Sequence, residues 1–303
     1  MNDKTTSNDS TILSENGEPL YQEHIAERTK KRKLESDEYV SVIVKRTDET
    51  FRHPDDILEK AIEEGLEQLE RPVLSLFLSA IAAGMIICFT VMAVGVMASI
   101  VGDLNSGFNR IIVALVYPLG FVLCILSGTQ LFTEHTATAF YPVLDRRSGF
   151  RTLFKLWAIV ITGNLTGGLL SAGLLASAEG VIHASEGYAM VAQHIVSYDY
   201  STLFFSAVLA GWLMALGAWT ILSTNSSAGQ ILCIYIVTFV IGVGGLHHSI
   251  AGSVELFVAL FTSDSLQVSK AISVISVILV GNALGGSIFV ALLNHGHIRA
   301  LNK

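Results

Sequence analysis

The segment Gly242–Phe261, GVGGLHHSIAGSVELFVALF, limits what this chain can fold into more than any other stretch. It places two adjacent histidines and Glu255 in an apolar run that extends from about residue 230 to 261. One helix crosses a bilayer in about 20 residues, so a straight helix here would overshoot the membrane. It would also strand ionisable side chains in hydrocarbon, where they are costly and mark function. Gly244 and Gly245 precede the histidines and Gly252 follows them. This pattern predicts a helix interrupted midway, exposing backbone groups and a side chain to a pore.

Five other apolar runs accompany it, and the six spans are expected near 73–101, 111–141, 153–176, 202–222, 230–261 and 270–293. The second, like the fifth, is too long for one span and holds glycine and polar residues at its centre, so both are expected to be broken. A mean hydropathy of +0.55 places the chain among integral membrane proteins. Its charge is uneven: residues 1–71 hold 11 of the 19 Lys+Arg and 18 of the 26 Asp+Glu, so the net −7 lies there and the rest of the chain balances. A polar, aromatic-poor tail over 1–53 is expected to be disordered and cytoplasmic. It lacks the apolar core of a cleavable signal peptide. Within it, Lys30-Lys31-Arg32-Lys33 reads either as a contact to anionic headgroups or as a solvated charge run. No nucleic-acid footprint appears, because this basic cluster sits in an acidic segment. Residues 54–71 predict an amphipathic helix ahead of the membrane, with Pro54 at its start, Asp55 and Asp56 at its positive end, and Ile57, Leu58, Ala61, Ile62, Leu66 and Leu69 on one face. The membrane domain is expected over 72–298, with 299–303 a short cytoplasmic tail. Cys88, Cys124 and Cys233 lie scattered in apolar runs, which argues against a disulfide framework or zinc site.

Basic residues in short connections set orientation. Arg146, Arg147, Arg151 and Lys155 cluster between spans two and three, Arg71 precedes span one, and Arg299 and Lys303 follow span six. The other loops carry only Arg110 and Lys270. Both termini are therefore expected to be cytoplasmic.

The halves of the membrane domain resemble each other. Leu76-Phe-Leu-Ser-Ala-Ile-Ala-Ala-Gly84 matches Leu203-Phe-Phe-Ser-Ala-Val-Leu-Ala-Gly211, an offset of 127. Gly163-Asn-Leu-Thr-Gly-Gly168 matches Gly281-Asn-Ala-Leu-Gly-Gly286, an offset of 118. Three spans per half is an odd number, so the repeats must be inverted. That architecture belongs to transporters and channels, with the site at the repeat interface. Applied to His248, the 118 offset gives Gln130 as its counterpart, in Ser127-Gly-Thr-Gln-Leu-Phe-Thr-Glu-His135. The two interrupted spans are thus expected to meet at the midplane.

At these residues the chain resembles the formate/nitrite transporter family, in a divergent bacterial branch of unassigned substrate. The span-two signature of the family appears as Gln130-Leu131-Phe132-Thr133, and its span-five signature as His247-His248-Ser249-Ile250-Ala251-Gly252. The Gly-Asn-x-x-Gly-Gly segments also fit. The resemblance implies a homopentamer in the bacterial inner membrane, each protomer an all-α bundle of six transmembrane helices with an aquaporin-like fold, spans two and five broken, and its own pore. It implies a small monovalent anion or weak-acid substrate, protons and membrane lipid as the other partners, and no cofactor. Carried over by position, His248 is the central pore histidine, Thr133 the loop threonine, and Leu131 and Phe132 part of the constriction. The chain departs from the family pattern at three places. His247 stands where an acidic residue is usual, Gly211 where a span-four asparagine bonds the histidine, and Glu134-His135 where small or neutral residues are usual.

A proton-linked mechanism is physically sensible at such a site. An anion is expensive to move through an apolar constriction, whereas its neutral acid is not. Half-helix N-termini draw the anion into a vestibule, and a histidine titrating near neutrality can donate the proton. The competing reading of His248 is a hydrogen-bonded structural residue. For His247, Glu134 and His135 it is a buried network that stabilises the broken helices. Glu255, two turns beyond His248, is expected in a helix-packing or subunit contact rather than in the pore. The terminal Asn294-His-Gly-His297 is assigned to the cytoplasmic interface. An enzyme is not expected: the Gly-x-Ser-Gly of an intramembrane serine protease is absent near Ser127, and only one His-His pair lies at membrane depth. The remaining alternatives are a small neutral-solute channel, although paired Asn-Pro-Ala motifs are lacking, and a non-transporting sensor or scaffold.

Overall fold

Pro54 opens the first helix of the computed structural model, which describes residues 52–104, 106–264 and 266–301. The disorder expected of the tail and the placing of its basic cluster lie outside the described residues. Arg52, at its edge, donates to the Leu222 carbonyl at 2.7 Å and to the Asn225 side chain. Helix α1 (Pro54–Glu70) has a proline in its first turn, which loses no hydrogen bond there, and Asp55 and Asp56 at its positive end. Its apolar face, with Ile57, Leu58, Ala61 and Ile62 buried, packs on α6 (Phe132–Leu144) and on the C-terminal helix α14 (Leu293–Leu301) instead of lying free.

Among the described residues, six helical stretches are long and apolar enough to cross a membrane. α2 (Val73–Ile86) and α3 (Cys88–Val101) form the first, and α4 (Gly107–Val116) and α5 (Pro118–Leu126) the second. α7 (Phe150–Ser177), α10 (Tyr200–Leu222) and α11 (Ser227–Gly244) follow, with α8 (Glu179–Ile182) and α9 (Ser185–Val196) between α7 and α10. The sixth runs from α13 (Val268–Leu284) through a π-helical Gly285–Leu292 into α14, well past the end expected near residue 293. The over-long second and fifth runs each resolve into a spanning helix plus a half-helix, α6 of 13 residues and α12 (Ser249–Thr262) of 14. At 1.5 Å per residue neither half-helix could cross alone. Large apolar side chains such as Phe108, Leu74 and Leu170 face outward, as lipid or a neighbouring subunit requires.

Proline accounts for the joint between α4 and α5. Pro118 cannot donate to the preceding turn, and the Thr90 hydroxyl serves the backbone at the joint by donating to the Tyr117 carbonyl at 2.9 Å and accepting from Gly120 N–H at 3.0 Å.

The inverted repeat is visible in the two most intimate helix pairs, α2 with α7 and α10 with α13. Gly84 lies against the Asn164 backbone and Gly211 against the Asn282 backbone, so closely that a methyl group at either would collide. This places Gly211, which the family resemblance put at the pore, at a helix crossing facing α13. The missing side chain serves close approach, as small residues do throughout membrane bundles.

On the face carrying α1 and α14, which we call the tail face, one charged cluster joins three parts of the chain. Arg299 donates to Glu59 at 2.8 Å and to Asp145 at 2.9 Å, Arg147 reaches the same two carboxylates at 3.2 and 2.8 Å, and His295 lies 3.4 Å from Asp145. Burial alone would raise the Asp145 carboxyl, but hydrogen bonds from Arg299 and His295 outweigh it and hold the group below its ordinary value. Arg299→Ala should cost about 1 kcal/mol, the scale of a partly exposed charge network. A carboxyl held low contributes stability above its unfolded pKa, roughly 4, and loses it as pH falls through the folded value. The difference in melting temperature between wild type and R299A in detergent should therefore be largest near neutrality and shrink as the pH drops below about 4. A difference unchanged by acid would assign the effect to side-chain contacts of Arg299 instead of its charge.

Candidate pore centre

The two half-helices begin at the middle of the bundle in nearly identical backbone. Their N-caps are Leu131 (φ −93°, ψ 125°) and His248 (φ −94°, ψ 125°). Gly128 and Gly245, at φ 66° and 60°, lie in the two breaks, and Gly245 ends α11. A helix start at membrane depth leaves N–H groups without water to bond, and each unmet group is expensive. One asparagine per repeat supplies the partner. Asn164 Oδ1 accepts from Phe132 N–H at 2.9 Å while its Nδ2 donates to the Ala80 and Gln130 carbonyls at 2.8 and 2.9 Å. Asn282 Oδ1 accepts from Ser249 N–H at 2.7 Å while its Nδ2 donates to the Ala207 and His247 carbonyls at 2.7 and 3.0 Å. Serines complete the match: Ser79 Oγ accepts from Gln130 N–H at 3.1 Å, and Ser206 Oγ from His247 N–H at 3.2 Å.

These bonds correct the register of the repeat by one residue. The counterpart of His248 is Leu131, and that of His247 is Gln130. The offset of 118, measured at the asparagines, does not hold upstream because α12 is one residue longer than α6.

His248 is 2% exposed and held at both ring nitrogens. Ala251 N–H donates to Nδ1 at 3.2 Å, and Nε2 lies 2.5 Å from Thr133 Oγ1. An Nδ1 that accepts leaves the neutral ring's proton on Nε2, directed at the threonine. Phe121 meets the ring edge-on at 4.9 Å. Leu131, Phe132 and Thr133 are buried beside it, so the chain is closed at this level.

On the far face from the tail, a cavity of about 110 Å3 ends at His248. It has room for several waters or one small solute, since a water occupies roughly 30 Å3 of liquid. Its walls include Arg110, Tyr117, His194, His247 and Glu255. Arg110 donates to the Val243 carbonyl at 2.8 Å. His247 Nδ1 is 2.8 Å from Ser206 Oγ, whose hydroxyl can donate because the oxygen already accepts from His247 N–H. Tyr198 stands beside both histidines, its Oη 3.0 Å from His194 Nε2 and its ring 5.4 Å from that of His247. Burial holds His194 below the usual imidazole range, and the Arg110 charge adds to it.

Of the residues expected at the pore, His247 and His248 line this cavity, Thr133 is bonded to His248, and Leu131 and Phe132 are buried at the start of α6. Ser249 gives its N–H to Asn282, and Gly211 belongs to a helix crossing. Gln130 and Glu134 face the tail side. Arg71 donates to Gln130 Oε1 at 3.1 Å, and Glu134 lies 3.8 Å from His135, whose Nδ1 is bonded to the Leu131 carbonyl at 3.0 Å. Glu64 of α1 completes that cluster; burial raises its carboxyl, and Lys60 and His135 partly offset this. The position of Glu255 is a correction, because it forms part of the cavity wall. Asn164 and Asn282 went unassigned in the sequence, although the Gly-Asn-x-x-Gly-Gly repeat that carries them was the available signal.

Six spans in an inverted repeat, with two half-helices meeting at the centre, define a channel-type membrane transport protein. The chain matches the formate/nitrite transporter family over residues 55–296 and belongs to that family. It is 30% identical over 251 residues to inner membrane protein YfdC of Escherichia coli (strain K12), covering 80% of this chain and 78% of that protein. It is 29% identical to the uncharacterized transporter YrhG of Bacillus subtilis (strain 168), covering 80% and 92%. Among solved structures the fold resembles an FNT family ion channel, with a TM-score of 0.71 at 20% identity over 81% of this chain and 99% of that one. It also resembles a pentameric formate channel with formate bound, with a TM-score of 0.64 at 21% identity over 76% and 98%.

If the asparagines hold the broken helices open, Asn282→Ala should leave one N–H and two carbonyls unmet and cost about 1–3 kcal/mol, read as a lower melting temperature of the detergent-solubilised protein. Asn164→Ala should cost a similar amount. A drop confined to one of the two would refute their equivalence.

Proposed function

We propose that this protein is a channel or secondary transporter for a small monovalent anion or its weak acid, of the formate/nitrite class, with proton exchange at His248. The observation that carries this reading is the His248–Thr133 pair, closed off at the centre of the bundle and opening on one side to a chamber of small-solute size. A bare anion would lose its hydration at that constriction and meet buried apolar side chains, whereas the neutral acid of the same substrate avoids most of that cost. Imidazole is the side chain whose ordinary titration lies nearest neutrality, which suits the exchange between the two forms.

The assembly reading is a homopentamer, supported by the pentameric formate channel that shares the fold and by the apolar outer surface. The membrane reading is the bacterial inner membrane, supported by the name of the Escherichia coli relative. The tail face is read as cytoplasmic because Arg146, Arg147, Arg151 and Lys155 gather there.

Proteoliposomes should take up formate, nitrite, acetate or hydrosulfide faster than empty vesicles, with uptake rising as the pH falls. Flux no faster than empty vesicles for the whole panel would sink the proposal. His248→Asn, which keeps a hydrogen-bonding side chain but cannot titrate, should reduce uptake by about tenfold or more, the usual scale for losing a proton-transfer group, and flatten its pH dependence. An active H248N protein with the wild-type pH profile would reduce His248 to a structural role.

A further inference from the structure

Glu255 is the unexplained group of the far chamber. It lies seven residues beyond His248 on α12, so the two share one side of the helix about 10 Å apart along its axis. The residue is 8% exposed, and that exposure is to the chamber, whose wall it forms. Its carboxyl makes no hydrogen bond or ion pair with any described residue. A buried carboxyl left without a partner in a chamber of small-solute size is placed to meet whatever occupies it.

The other charged and titratable groups of the chamber do not neutralise it. Arg110 is exposed and spends a guanidinium nitrogen on the Val243 carbonyl. Tyr117 lines the wall from the joint of α4 and α5, His194 comes from α9, and His247 and His248 come from the break itself. Among the helices packed on α12, α7 carries ionisable residues only in Arg151 and Lys155 of its opening turns, and α3 carries only Cys88. α13 brings Lys270, which lies 4.6 Å over the Tyr200 ring. One carboxyl therefore sits in the chamber with imidazoles that are themselves hydrogen-bonded.

We propose that Glu255 is the specificity-determining residue of the far chamber, admitting an anion only together with a proton. The proposal rests on the weak-acid transport reading above. An ionised Glu255 and an anion side by side would place two like charges in a poorly solvated space, which the protein disfavours strongly. With one proton taken from the far-face solution, chamber and occupant together carry a single negative charge. That total is the same whether the proton rests on Glu255 or on the anion. Arg110 draws anions toward the opening, and Glu255 rejects those that arrive without a proton. Anions of strong acids face the same requirement, and with them the proton must rest on Glu255, because the anion cannot hold it.

The test measures formate uptake into right-side-out vesicles between external pH 6 and 8, for wild type, Glu255→Gln and Glu255→Asp. At pH 8 the E255Q protein should exceed wild type by about threefold or more, with a shallower pH profile, because occupancy no longer requires the coupled proton. Nitrate should inhibit E255Q at that pH and leave wild type little affected. E255D, which keeps the carboxyl, should resemble wild type in both readouts. Wild-type protein supplies an independent measurement: calorimetry of formate binding at pH 8, in two buffers of different ionisation heat, should show uptake of about one proton per formate. Unchanged profiles in E255Q, an E255D protein that behaves like E255Q, or binding without proton uptake would each overturn the proposal while leaving the transport reading intact. Wild-type vesicles inert to the whole substrate panel would instead overturn the transport reading and this proposal with it.

Discussion

A carboxamide replacing water at membrane depth is the interaction on which this structure depends. Breaking a helix inside a bilayer exposes N–H and C=O groups where no solvent can meet them. Each of Asn164 and Asn282 meets three at once: one N–H of a half-helix, one carbonyl in the break before it and one carbonyl on a neighbouring helix. Few side chains can do this. A carboxylate only accepts and an ammonium only donates, whereas an amide does both from one rigid plane. Because the three bonds of each asparagine join a broken span to two neighbouring helices, they also set the distances among those helices. The glycines at the crossings follow from that. Gly84 and Gly211 are needed because α2 and α10 must come near enough for the Ala80 and Ala207 carbonyls to reach the amides.

The inverted repeat thus fixes the backbone twice over and leaves the chemistry free to differ. At equivalent positions the first half carries Leu131 and the second His248, the first Gln130 and the second His247. Each pair shares its backbone bonds but not its function. Gln130 is bonded by Arg71 on the tail side, while His247 turns to Ser206 and the far chamber. Asymmetric chemistry on a symmetric frame means that the two sides of the constriction meet a solute with different groups.

Much of this was legible in the sequence, and what was missed has physical reasons. The six spans, the two breaks and the inversion all follow from hydropathy, length and two short repeats, because a bilayer leaves few other ways to bury such a chain. Thr133 and His248 came together as the family resemblance implied. Gly211 was misplaced, because a glycine leaves no side chain to reveal whether it faces a pore or a helix. The one-residue error at His248 arose because the offset was measured at the asparagines, and α12 has one more residue than α6. Glu255 was misassigned for a deeper reason. A carboxyl two turns along a short helix has the same sequence signature whether it meets a neighbouring helix or an open chamber. Only the packing that leaves a cavity beside Glu255, lined by residues of several helices, decides between them.

The bonds at His248 also constrain how charge can be handled at the centre. A ring that accepts from Ala251 N–H at Nδ1 must carry its proton on Nε2, and that proton faces Thr133. An imidazolium would have to give up the Ala251 bond or turn, and either costs a buried hydrogen bond. Charging His248 is therefore coupled to movement at the start of α12, the same turn whose first N–H is held by Asn282. A second proton-holding group nearby removes the need for that movement to precede arrival of the substrate. Seen this way, Glu255 and His248 divide one task. On the proposed reading Glu255 settles the charge of what enters the chamber, and His248 at the closed centre exchanges the proton with a solute whose charge has already been balanced.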